Sequence, residues 1–207
     1  MNKNIDKIKK LEGSPQIIKN LFSKTELEKF LNLYHNLPTT VHNKKQNVIK
    51  KRWLKNYSEE LENIFFDKLK NEIGEFKMDN LKDENSEDIL GLFQESYNPI
   101  GLHVDAGFNL NEIIFKQTLI PLTSKGGTVI FKNKFYGNST NFTIDENELK
   151  IKDLKYGQNQ RSSEHLNLFE KKPFNKEDHE KYLKHEKIEN LSGLEVDMVY
   201  EWEIGSM

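Results

Sequence analysis

The order in which hydrophobic periods change along the chain limits its fold more than any other feature. Up to residue 76 the apolar residues recur at helical spacing, and from Ile89 onward they come in short β-rich runs broken by Pro, Gly and Asn. Helices first and strands afterwards argue against βαβ units and predict an α+β fold. The run "LFSKTELEKFLNLYHNLP" carries a full set of helix signals. Ser23 stands at the N-cap, Glu26 completes a capping box, and Phe22 with Leu27 occupies the two positions of a hydrophobic staple. Leu27, Phe30, Leu31 and Tyr34 form the apolar stripe, and Pro38 stops the helix. A polar loop, "TTVHNKKQNVIKKRW", is expected next. A second helix is predicted from Ser58 to Phe76, with Leu61, Ile64, Phe65, Leu69, Ile73 and Phe76 on one side and Gly74 near its end. The charge run "DNLKDENSED" reads as a solvated loop.

Four strand-like runs follow: "ILGLFQESY", "FKQTLIPLT", "GGTVIF" and, late in the chain, "DMVYEW". Their grammar is that of a β-sandwich or jelly roll. Between them, residues 132–191 are long and polar, as an insertion or lid would be, with one helical stretch near "NKEDHEKYLKH" opened by Pro173 and Asn175. The expected organisation is a polar arm over residues 1–16 and a single domain over 17–207, with helices in 23–76, a β-core from 89 and the lid at 132–191.

Composition narrows the function. The 31 basic and 33 acidic residues are interleaved and give a net charge of -2, so no basic face for nucleic acid is implied. Cys is absent, which removes disulfides and thiolate metal sites and fits a reducing compartment. The start of the chain has no apolar signal-peptide core and no stretch is long and apolar enough for a membrane span, so a cytoplasmic location with no membrane partner is expected.

The chemistry concentrates in "GLHVDAGF". His103 and Asp105 stand at i and i+2, which on a strand project from the same side and can reach one cation. A neutral imidazole and a carboxylate are two of the three donors of a facial ferrous site, which leaves positions open for cosubstrate and oxygen. The other reading of the same residues is a His–Asp pair across a turn.

The order "QESYNPIGLHVD", then an apolar run, then "KGGTVIF" resembles the iron and 2-oxoglutarate dependent dioxygenases, in their prolyl-hydroxylase-like and phytanoyl-like branches. The helix opening with "LFSKTELEKFL" is similar to the usual first helix of that family. The resemblance covers about Ile17 to Phe131, and more loosely "VYEWEIGS". It implies a double-stranded β-helix (a cupin-like jelly roll) behind N-terminal helices, Fe(II) as cofactor and 2-oxoglutarate as cosubstrate. The implied reaction is hydroxylation of an unactivated C–H on a peptide side chain or a small metabolite. By resemblance, His103 and Asp105 match the first two metal ligands and Tyr97 a strand position that contacts the cosubstrate. Lys116 matches a lysine that binds the cosubstrate carboxylate in some branches, against a plain solvent-facing lysine. Gly126, Gly127 and Thr128 match a structural turn.

The family's second His falls on a late strand, and "YEWEIGSM" looks like the approach to it. The missing ligand strand is therefore expected beyond Met207, with weak iron binding by the 207 residues alone. His165 is the best internal substitute for the third ligand, and His179 and His185 read as surface residues of a helix. Arg52, Trp53 and Trp202 fit either a substrate mouth or buried anchors. A non-enzymatic jelly roll for binding or assembly is the main alternative, with a cupin metalloenzyme third and a nucleic-acid role last.

Overall fold

The computed structural model describes residues 13–43, 48–78, 81–104, 117–133, 140–141 and 172–207. The chain is a mixed α+β protein with small antiparallel sheets, and no closed barrel is formed among the described residues. It divides into two compact units. One comprises Ile18–Ile100 with Ile120–Ser124 and Trp202–Met207, and the other Gly101–Leu119 with Lys125–Glu201 and the chain's first residues.

In the first unit, helix α1 (Lys24–Asn36) starts as the sequence requires. The Ser23 hydroxyl accepts from the Glu26 amide, and the Glu26 carboxylate accepts from the Ser23 amide at 2.7 Å. These contacts satisfy two amides that a helix start would otherwise leave bare. Phe22 and Leu27 are both buried, as a staple should be. The buried stripe is Leu27, Phe30 and Leu33, continued by Leu37 past the helix end, so Leu33 holds the inner position expected of Leu31.

The expected polar loop at 39–53 is instead two strands, β1 (Val41–Asn43) and β2 (Val48–Leu54), and this corrects the sequence reading. β2 pairs antiparallel with β3 (Ile89–Ser96), giving a three-stranded sheet in the order β1-β2-β3. The strand was hidden because a lysine takes an inward position. Lys51 shares a face with buried Trp53; its ammonium lies 4.3 Å from the centre of the Tyr34 ring and donates to the Tyr34 carbonyl at 2.8 Å. The lysine is half-buried and its charge is met by a ring face and an oxygen, so alternation survives in space but not in the letters.

Helix α2 (Glu59–Ile73) is capped by Ser58 and ends at Gly74, whose φ of 76° suits glycine. Its stripe meets α1 and the sheet in an aromatic core. Phe30 lies 5.8 Å from Trp53 and Trp53 5.3 Å from Phe65, both edge to face. Across the helices, Lys68 pairs with Glu26 at 2.9 Å and donates to the Leu21 carbonyl at 2.8 Å. The segment 202–207 closes this core: Ser206 and Met207 are buried, and Met207 and Ile18 exchange two backbone hydrogen bonds of 2.8 and 2.9 Å.

The second correction concerns residues 117–123. They form no strand; Pro121 cannot donate to a ladder, and its carbonyl receives the Gly205 amide at 3.2 Å.

The second unit contains β4 (His103–Val104), β5 (Gly127–Phe131), β6 (Thr140–Asn141), helix α3 (Lys176–Tyr182) and β7 (Val196–Glu201). β5 pairs antiparallel with β7, and β4 with β6. The strands expected at "GGTVIF" and "DMVYEW" are β5 and β7. Gly127 opens β5 where a Cβ would stand 3.0 Å from the Tyr200 carbonyl oxygen. Asn175 caps α3, its Oδ1 accepting from Glu177 and Asp178. Residues 172–191, the end of the expected insertion, supply Phe174, Leu183 and Leu191 to a buried cluster with Val129, Phe131 and Val196.

Candidate metal-ligand strand and its support

His103 opens β4, paired in register with Asn141. Two residues earlier the chain turns, and the imidazole folds back so that Nδ1 lies 2.7 Å from the Gly101 carbonyl oxygen. A carbonyl oxygen only accepts, so Nδ1 must be the protonated nitrogen. In the neutral ring the lone pair then belongs to Nε2. Histidines that bind metals are arranged in this way, one nitrogen held by a backbone carbonyl and the other turned to the ion.

The turn itself is held from a distance in sequence. The Leu102 amide donates to Glu186 Oε1 at 2.7 Å, within the range of charge-assisted bonds. Glu186 Oε2 accepts from Nδ2 of buried Asn190 at 3.4 Å. The Glu186 amide is bound to the Leu183 carbonyl, and its carbonyl accepts from Nε2 of His179 at 2.8 Å. Gly101 leaves room for the Glu186 carboxylate. A Cβ there would stand 2.8 Å from Glu186 Oε1. Sequence reading missed Glu186, because "HEKIEN" looks like an exposed charged stretch. The available signal was the glycine two residues before His103.

Asp105, Lys116 and His165 lie outside the described residues. Among the described residues, no group of three His, Asp or Glu side chains is placed to hold a metal ion. Tyr97 follows β3 and is 59% exposed, with its phenol donating to the Glu95 carboxylate. That hydrogen bond, and the charge of Glu95, push the Tyr97 phenol above its ordinary pKa. Trp53 belongs to the core of the first unit, with 3% of its surface exposed, and Arg52 pairs with Glu84. Trp202 is half-buried. His179 is half-buried on α3 and serves the Glu186 carbonyl, whereas His185 lies past the helix and is exposed.

Among the described residues no helix is long and apolar enough to cross a membrane. No family model, curated protein or solved structure matches this chain.

Proposed function

We propose that the chain is an oxygenase of the iron and 2-oxoglutarate dependent kind, built on a jelly-roll core, with His103 and Asp105 as two ligands of a ferrous ion. The observation that carries this reading is the ring of His103. It opens a strand, and its Nδ1–H is tied to the Gly101 carbonyl, which assigns the lone pair to Nε2. The motif order from Tyr97 through "GLHVD" to "GGTVIF" supports it independently.

In this reading His103 donates Nε2 and Asp105 one carboxylate oxygen, which also cancels one unit of the ion's charge. Tyr97 and Lys116 meet the cosubstrate, and His165 is the internal candidate for the third protein ligand. Bound there, ferrous iron with 2-oxoglutarate would supply the oxidising power to hydroxylate an unactivated C–H of a peptide side chain or small metabolite. The protein's share is to fix donor geometry, orient the target carbon and exclude water.

The test is 2-oxoglutarate consumption in the presence of ferrous iron, on the wild type and His103→Ala, with folding checked by circular dichroism. A loss of at least roughly 10-fold is expected in the variant. Background-level consumption by both folded proteins would favour a non-enzymatic role, and equal consumption above background would remove His103 from the site.

A further inference from the structure

We propose that Glu186 is a positioning residue that fixes the ring of His103 through the intervening Gly101–Leu102 peptide bond. The amide N–H and the carbonyl that form the two contacts belong to the same peptide unit. Glu186 Oε1 accepts its N–H at 2.7 Å, and its oxygen accepts His103 Nδ1–H at 2.7 Å. A carboxylate at the N–H end polarises the peptide and increases the negative charge on its oxygen, so the second bond is strengthened by the first. The result is a carboxylate–peptide–imidazole chain.

Three features show that the chain is held and not incidental. Glu186 is oriented at both ends, with its second oxygen on Asn190 and its backbone carbonyl on His179. Its Oε1 also occupies space that a Cβ at residue 101 would contest, 2.8 Å from the ideal Cβ position. The Leu102–Glu186 bond is short, at 2.7 Å. The chain acts on the tautomer, because the protonated nitrogen of an imidazole is set by the hydrogen bond that nitrogen makes. Its service to a metal ion rests on the oxygenase reading above; its effect on the ring does not.

The experiment reads the tautomer directly by nitrogen-15 NMR of the metal-free protein. The pH is held about two units above the ordinary imidazole value of about 6.5. The wild type should show His103 protonated at Nδ1. Glu186→Gln keeps an oxygen for the Leu102 amide and should retain that tautomer. Glu186→Ala should shift it toward the Nε2–H form with the fold unchanged. Gly101→Ala provides an independent variant, since its methyl displaces the carboxylate; combined with Glu186→Ala it should add little, as coupled residues do. In ferrous titrations, Glu186→Ala should lose roughly 10–100-fold in affinity and Glu186→Gln much less. The proposal is overturned if Glu186→Ala keeps the wild-type tautomer, or if Glu186→Gln loses it as fully as the alanine variant does. A locked tautomer in a wild type that binds no iron would sink the oxygenase reading and leave this one standing.

Discussion

In the unit built from α1, α2 and the three-stranded sheet, rings pack against rings. Phe22, Phe30, Trp53, Phe65 and Phe93 form one connected set, and both helices begin with side-chain caps. The unit that carries His103 has a smaller buried cluster of Phe174, Leu183 and Leu191 among the described residues. Its loops are secured by polar ties instead. Asn133 grips Gly193 and Glu195, and Glu186 grips the turn before β4. Bulk burial is non-directional and stabilises whatever buries area, whereas a hydrogen bond specifies an angle. In the proposed reading the strand of His103 must aim one imidazole nitrogen, which calls for the second kind of support.

That contrast can be broken at each core. Trp53→Ala should cost about 3–5 kcal/mol in chemical denaturation, the usual range for emptying a large aromatic site. Trp53→Phe should cost far less, since the buried indole Nε1 has no hydrogen-bond partner among the described residues and its removal relieves an unsatisfied donor. Leu191, with 0% exposure, makes the corresponding test in the other unit. Leu191→Ala should cost about 2–5 kcal/mol, read as faster amide exchange in β5 and β7. A smaller effect is expected at Gly205, where φ is 78° and a Cβ would approach the Phe22 carbonyl and Leu27 Cδ1 to 2.9 Å. Gly205→Ala should cost about 1–3 kcal/mol in the same denaturation.

The smallest effect is electrostatic. Partial burial raises the pKa of Glu26, but the Lys68 ammonium and the Ser23 cap outweigh it, and the net shift is downward. A carboxylate lowered on folding contributes stability above its unfolded value of about 4.5, and that contribution disappears as pH falls through the folded value. Unfolding midpoints of the wild type should therefore fall relative to Glu26→Gln as pH drops below about 4.5.

Helix starts were legible because their chemistry is local. Ser23 with Glu26, Ser58, and Asn175 each cap within three residues of themselves. β3, β5 and β7 were legible as β-rich runs between breakers. β2 was not, because half-buried Lys51 shares a face with Trp53 and reads as polar. The run at 117–123 misled in the opposite sense: apolar letters around Pro121 look like a strand, but that segment uses its carbonyl to receive Gly205. At the candidate site, His103 was legible as one half of a spaced pair. Glu186 was not, since 83 residues separate it from His103 (186 − 103) and only tertiary structure joins them.

The direct test of the central claim is an anaerobic titration with ferrous iron in the presence and absence of 2-oxoglutarate, on the wild type, His103→Ala and Asp105→Ala. The account predicts that the wild type binds the ion more tightly than either variant by at least roughly 10-fold, and that 2-oxoglutarate tightens binding in the wild type alone. Equal or absent binding in all three folded proteins would contradict it.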